Sequence, residues 1–386
     1  MNLLKNKLNI GLLMIAAAIT VLSSCNKDVQ QFPITPVTPP SGQSLGQSLA
    51  AIADDSLYYR MIVRGGLLPL ISNTANAYTM FVPGNAAMRS FVNVASGGAI
   101  PAAAPDAIHS NFISTILPAA SAAGIVSYNI CPQKLTSAGI PTTFPNLQFP
   151  SILNPAPTLS ALLRLTTFPS KRSNGAWLNN IPISSVDLAA ANGVIHHTAA
   201  VTAPPSIYLW NKIDTDPALA LLKAAINRAD ADPTAPGALR SALLNIGASL
   251  TVFAPDTTAF KNVLSFLSGG AIPANAPVAT FSGFISSLPI TTVKGIVVYH
   301  VLGVRTFSVN LPTTATSYPT LLNSAVPTHP GVSVLATFTT IPGFGTVAAT
   351  ATVKGIANAG PSNITSRDNH YLNGVLHVID QVLLPQ

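Results

Sequence analysis

Twelve acids, seven histidines and two cysteines are the side chains with the most chemistry to offer in this 386-residue chain. Their spacing restricts what that chemistry can be. His196 and His197 are adjacent, so on a strand they face opposite ways and cannot chelate one ion together. Histidine also closes two similar stretches, Asn192-Gly-Val-Ile-His196 and Asn373-Gly-Val-Leu-His377, and a Tyr299-His300 pair precedes the second. No His-Glu-x-x-His, paired-cysteine, Gly-x-Ser-x-Gly or phosphate-loop pattern occurs. Gly343-Phe-Gly345 lacks the helix that a dinucleotide loop needs. Serines and threonines abound, but nothing in the spacing marks one as a nucleophile. The pattern calls for no metal, no cofactor and no catalytic group.

The two cysteines differ in context. Lys5 and Lys7 open the chain, an uncharged apolar stretch runs from Ile10 to Leu22, and Leu22-Ser23-Ser24-Cys25 closes it. A positive start, an apolar middle and small residues at the end mark a secretory peptide. Cysteine at the first position after the cut resembles the lipobox of bacterial lipoproteins. That resemblance implies a signal peptide over residues 1–24 and lipid on Cys25. A spanning helix, the alternative, needs about 20 apolar residues, and this run is shorter and ends in a polar pair. Two or more acyl chains anchor a protein without any span, so the first expected partner is a membrane, held through the N-terminal lipid. With Cys25 lipidated, Cys131 stands alone and no intramolecular disulfide forms.

Residues 25–43 then form a tether. Phe32-Pro-Ile-Thr-Pro-Val-Thr-Pro-Pro-Ser-Gly-Gln43 carries no charge and favours extended polyproline II. At about 3.1 Å per residue, residues 26–42 reach on the order of 50 Å. Asn26-Lys27-Asp28 resembles, over two residues, the surface-export signals of Bacteroidetes lipoproteins, with an ordinary polar linker as the alternative. The expected location is the outer membrane, facing outward.

Charged residues make up only 8% of the chain against 48% apolar ones, where an average soluble protein carries roughly 25% charge. Low charge with plentiful aliphatics is a folding composition, not a disordered one. The formal net charge of +7 falls once Lys5 and Lys7 leave with the signal peptide. Arg164 with Lys171-Arg172 is the densest basic patch. It lacks the clustering and interleaved aromatics of a nucleic-acid groove and reads as a solvated loop, so no nucleic-acid partner is expected.

What must position these residues is a module used twice. Ser96-Gly-Gly-Ala-Ile-Pro-Ala-Ala-Ala-Pro105 returns 172 residues later as Ser268-Gly-Gly-Ala-Ile-Pro-Ala-Asn-Ala-Pro277, identical at nine of ten positions. Thr79-Met-Phe-Val-Pro83 returns at the same offset as Thr251-Val-Phe-Ala-Pro255, and Gly124-Ile-Val-Ser-Tyr-Asn129 aligns with Gly295-Ile-Val-Val-Tyr-His300. The closing Asn-Gly blocks lie 181 apart, so one fold carries loops of different length. Cys131 aligns with Leu302, which predicts a buried thiol. A β-prone run ends at Pro255, and Asp256 or Thr257 caps a helix with Ala259, Phe260, Val263 and Leu264 on one face. In copy one, Asn85 is the expected cap, with Met88, Phe91 and Val92 buried. Leu45, Leu49, Ile52, Met61 and Ile62 suggest helices leading in, as do Leu219, Leu222 and Ile226 in copy two. Asn-Gly predicts a type I′ hairpin turn, and Val332 to Thr352 reads as strands. Helices first and strands after give an α+β module.

Thr251-Val-Phe-Ala-Pro…Ala259-Phe260, then Tyr299-His300, then Asn373-Gly-Val-Leu-His-Val-Ile-Asp380 is similar to the signature of fasciclin-like (FAS1) domains. The resemblance divides the mature chain into a divergent domain over 44–205 and a second over 206–386. It implies a wedge-shaped β-sandwich flanked by helices in each, and a non-enzymatic role in adhesion to extracellular proteins or polysaccharides. Tyr299 and His300 resemble a pair linked to receptor binding in animal members; the other reading is a packed tyrosine beside a histidine bonded to nearby backbone. Copy one departs at Asn129 and Ala199, where copy two has His300 and Asp380, and carries a Pro-rich insertion at roughly 136–170. Asp55-Ser-Leu57 and Asp256-Thr-Thr258 resemble short O-glycosylation sites. Two other functions compete with adhesion. A glycan-capture accessory protein predicts a row of exposed aromatics, and a hydrolase predicts clustered acids or an activated serine.

Overall fold

A computed structural model describes residues 42–386. The expected signal peptide, the expected lipid anchor at Cys25 and most of the expected tether lie outside the described residues. In copy one, α1 (Leu45–Ala51) starts at Ser44, whose hydroxyl accepts from Gln47 N while the Gln47 side chain returns to Ser44 N, a reciprocal capping box. α2 (Ser56–Arg64) buries Leu57, Tyr58, Met61 and Ile62 on one stripe, and α3 (Leu68–Ser72) follows. β1 (Tyr78–Pro83) is buried along its whole length. Its alternation explains why: Met80 and Val82 face a core shared with the helices, and Phe81 packs on the other side with Cys131, Phe149 and Leu178.

Pro83 ends β1 and α4 (Asn85–Ala95) begins. α5 (Asp106–Asn111) runs into a π-helical turn, and Pro118 opens α6 (Ala119–Tyr128). After β2 (Ile130–Cys131) come β3 (Phe149–Pro150), β4 (Thr166–Thr167), β5 (Pro169–Arg172), β6 (Gly175–Leu178), β7 (Ile181–Ala190) and β8 (Gly193–Thr198). The main sheet runs β2-β1-β8-β7-β6-β5, with β1 and β8 parallel and the other pairs antiparallel.

Copy two repeats the plan. α7 (Leu209–Thr215), α8 (Ala220–Ala229) and α9 (Ala238–Leu244) lead into β9 (Leu250–Pro255), and α10 (Thr257–Leu267), α11 (Val278–Ser287), α12 (Ile290–Tyr299) and β10 (Val301–Leu302) follow. β11 (Thr316–Tyr318), β12 (Val332–Ile341), β13 (Gly345–Lys354), β14 (Ser362–Tyr371) and β15 (Gly374–Ile379) complete a sheet ordered β10-β9-β15-β14-β13-β12-β11. Each half is an α+β module, a curled mixed sheet with helices packed on it.

Three sequence expectations need correction. Neither Asn-Gly pair adopts the positive φ angles of a type I′ turn. Their value lies elsewhere. Asn192 Oδ1 accepts from Leu45 N at 2.7 Å, and its Nδ2 donates to Ile71 O and Asn73 O. Asn373 does the same for Leu209 N and Ala242 O. Each asparagine thus ties the leading helices to the start of the closing strand. The glycine after it lets a parallel neighbour approach: a Cβ on Gly193 would stand 2.1 Å from Tyr78 O, and one on Gly374 2.5 Å from Leu250 O.

Asp256 caps α10, accepting from Ala259 N at 2.7 Å. Asn85, however, lies one residue inside α4, and Gly84 is the cap. The Asn85 side chain instead accepts from Leu57 N and donates to Ala53 O, binding α4 to the start of α2. Lys171 and Arg172 are not a free loop. They end β5, where the Lys171 ammonium bonds Ser137 O and the Arg172 guanidinium bonds Asn146 Oδ1.

Candidate functional site

Tyr299 ends α12 with no exposed surface, and His300 is 1% exposed. Tyr299 Oη donates to Gly331 O at 2.7 Å and accepts from Ile356 N at 3.1 Å. His300 Nδ1–H donates back to Ile296 O, and its Nε2 accepts from Leu383 N at 2.8 Å. Burial holds the His300 imidazole down at about 4, so it stays neutral with the proton on Nδ1. Every polar atom of the pair is spent on backbone. The expected candidate binding residues are therefore interior, with their polar atoms bonded to the backbone.

Copy one shows the same corner with a different residue. Asn129 Nδ2 donates to Ile125 O, the counterpart of Ile296 O, and to Thr202 O, at the position matching Leu383. The amide keeps the bond to the helix carbonyl but reverses the second contact, donating to a carbonyl where His300 accepts from an N–H, and it leaves Asn129 Oδ1 without a partner.

The histidines of the closing strands are also structural. His196 Nε2–H donates to Leu135 O and its Nδ1 accepts from Asp187 N. His377 repeats this with Thr306 O and Asp368 N. Asp187 and Asp368 sit at register shifts with φ of 62° and 59°, and their carboxylates bind the backbone N–H and hydroxyl of Ser137 and Ser308. Each bulge pins the loop after the short strand to the sheet. Burial pushes both imidazoles below the usual histidine value, although their hydrogen bonds to backbone and the nearby aspartates pull the other way. Although serine, aspartate and histidine meet here, no serine–histidine bond forms. Cys131 is buried, its thiol pushed up to about 12 by burial, which rules it out as a thiolate nucleophile at neutral pH.

One constellation was not visible in the sequence. Ser185 Oγ lies 2.8 Å from His197 Nδ1, and His197 Nε2 lies 3.1 Å from the fully buried Asp55 carboxylate. The arrangement is a hydroxyl–imidazole–carboxylate relay on an open groove of about 360 Å³. It also holds the start of α2 against β8. Acyl transfer would need donors converged on an oxyanion beside the serine; the one side-chain hydrogen bond of Ser185 runs to His197. Copy two has Ser366 and Val378 at these positions, so the relay belongs to copy one alone.

The two halves meet along a seam. Phe168 and Trp177 of copy one pack with Phe307, Val309 and Val375 of copy two. Trp177 Nε1–H donates to Thr346 O at 2.7 Å. Asn146 donates to Asn310 Oδ1, and Asn310 donates to Ser170 Oγ. The Phe144 and Tyr318 rings lie 5.2 Å apart. Phe144, Asn146, Phe168 and Ser170 all come from the Pro-rich segment expected as an insertion at roughly 136–170; copy two is in fact the longer over the matching stretch, so the segment is a divergent replacement and not an addition. Its role is docking. Both halves fall within one unit, Ser41–Gln386. Among the described residues no three metal-ligating side chains converge, and no single helix is long and apolar enough to cross a membrane.

The fasciclin domain model matches the chain twice, over residues 55–204 and 234–385. The protein belongs to the fasciclin domain family, as a tandem pair. It is similar to a solved FAS1 domain pair from the insect cell adhesion molecule Fasciclin I, at 16% identity over 85% of this chain and 95% of that one, with a TM-score of 0.34. No curated protein matches the sequence.

Proposed function

We propose that the chain is a cell-envelope lipoprotein whose paired fasciclin domains serve adhesion or capture of an extracellular protein or glycan. Lipid on Cys25 would hold it at the outer membrane, and the Pro-rich segment would present the pair outward. The observation that carries the reading is the double family match in a chain whose leading segment has the lipobox pattern. The buried polar groups support it: Tyr299, His300, His196 and His377 are consumed by the scaffold, which leaves the loops, the outer faces and the seam for contact. A seam that joins both halves would let them meet one partner together rather than as independent modules.

The test is a glycan and matrix-protein array probed with the chain, paired with surface proteolysis of intact cells. Binding to an immobilised partner together with protease sensitivity is the expected result. Protection from protease with no binding on the array would remove the proposal. A hydrolase reading is favoured by one observation, the Ser185–His197–Asp55 relay, and has its own check. If His197→Ala abolished turnover of an aryl ester by the folded protein, the chain would be an enzyme.

A further inference from the structure

Arg305 is 5% exposed, yet no carboxylate pairs with it in any ion pair among the described residues. A buried charge without a counter-charge is costly, so its surroundings bear on function. One guanidinium nitrogen, Nη1, donates to His370 Nε2 at 2.6 Å and to Tyr371 O, and Nη2 donates to Leu372 O at 3.1 Å. The plane lies over the Phe168 ring across the seam, 4.7 Å from its centroid. Nε is buried with no partner. Of five guanidinium donors, the Nε–H and one N–H of Nη2 are unspent.

Arg305, Phe168 and Leu372 border a cleft of about 190 Å³ between the two halves. A second arginine, Arg164, stands on its wall with Thr166 and Phe168 from copy one, facing Ser249 and Leu372 from copy two. Ser249 Oγ is buried and has no hydrogen-bond partner. The lining holds two arginines and no acid. Its volume is that of several waters, given a share of about 30 Å³ each, so there is room for more than solvent. Burial lowers the Arg305 value only to about 10, and its neighbour His370 is held well below the ordinary histidine value by burial and by Arg305 itself. At neutral pH Arg305 therefore presents to the cleft a positive charge that no carboxylate among the described residues pairs with.

We propose that the seam cleft is a binding site for a small oxyanion, a carboxylate, sulfate or phosphate group, received by Arg305 and Ser249 with Arg164 closing over it. The unspent N–H pair suits the two oxygens of such a group, and the Ser249 hydroxyl supplies a third donor. This deepens the capture reading and rests on it for its biological sense, since an acidic ligand group would be gripped by both domains at once. The anion assay below reads the cleft alone, so it can fail while array binding succeeds, and the reverse.

The experiment is calorimetric titration and thermal unfolding of the full chain with sodium sulfate, glucuronate and uncharged glucose, at ionic strength matched with sodium chloride. Saturable binding of one oxyanion per chain is expected, with a rise in Tm that follows occupancy and no response to glucose. Tighter glucuronate assigns the site to an organic acid, and tighter sulfate to the inorganic ion; either supports the proposal. Arg305→Gln should weaken binding at least about 30-fold. Should that variant fold poorly, Ser249→Ala and Arg164→Ala remain, with expected losses of about fivefold and about threefold. An equal response to glucose, no saturable binding of either anion, or affinity unchanged in all three variants would overturn it.

Discussion

Asn129 and His300 sit at equivalent helix ends, and each reaches back four residues to a carbonyl while touching the closing segment of its own domain. The corner therefore accepts either an amide or a neutral imidazole. What the histidine adds is a group that charges in acid. Copy two also buries His370 beside Arg305, where copy one has Ala189. Copy one differs otherwise, in its divergent docking segment and in the buried Asp55–His197 pair. The two halves share a frame and differ in how they respond to protons.

The shared frame gives the largest expected effect. Gly193→Ala and Gly374→Ala should each cost about 3 kcal/mol or more in urea unfolding, because the new methyl meets a strand carbonyl that cannot move aside. A cost in one half only would break the equivalence of the two corners. His197→Ala is next and should act on copy one alone. It leaves the fully buried Asp55 carboxyl without its side-chain hydrogen-bond partner and should cost about 2 kcal/mol, whereas Val378→Ala in copy two removes no such bond.

Acid sharpens the comparison further. The folded-state value of His300, about 4, lies below its ordinary 6.5, so the unfolded chain binds more protons between those values. The stability tied to a neutral His300 is complete above pH 6.5 and is lost as pH falls toward 4, with about 2 kcal/mol gone by pH 5. His300→Asn, which copies the other half, should remove that part of the difference between urea midpoints at pH 7 and pH 5. The smallest effect concerns capping. Asp256→Ala should cost about 1 kcal/mol, and no equivalent loss exists at Gly84, which has no side chain to cap with.

Much of this was legible in the sequence. The duplication, the helix-then-strand order, the Asp256 cap and the burial of Cys131 follow from short-range patterns of apolar spacing and turn chemistry. The Asn-Gly pairs were noticeable but misread, because their work is done by side-chain bonds to backbone more than a hundred residues away in sequence. Ser185, His197 and Asp55 come from three elements and leave no periodic trace. Arg305 carries no mark in the sequence, because the groups that surround it, Phe168 and Leu372, are far from it along the chain. The Pro-rich segment of copy one read as an insertion; it is a divergent stretch no longer than its counterpart, and it fastens the halves together. Tyr299-His300 stood out because the motif is distinctive; its distinctiveness comes from the geometry of a packed corner.

The claim that this pair belongs to the scaffold rather than to a contact surface can be tested on one ring. In the folded full-length chain, the His300 imidazole resonances, assigned by their absence in His300→Asn, should titrate with a midpoint near 4. A midpoint near 6.5, the value of a solvated histidine, would contradict the account.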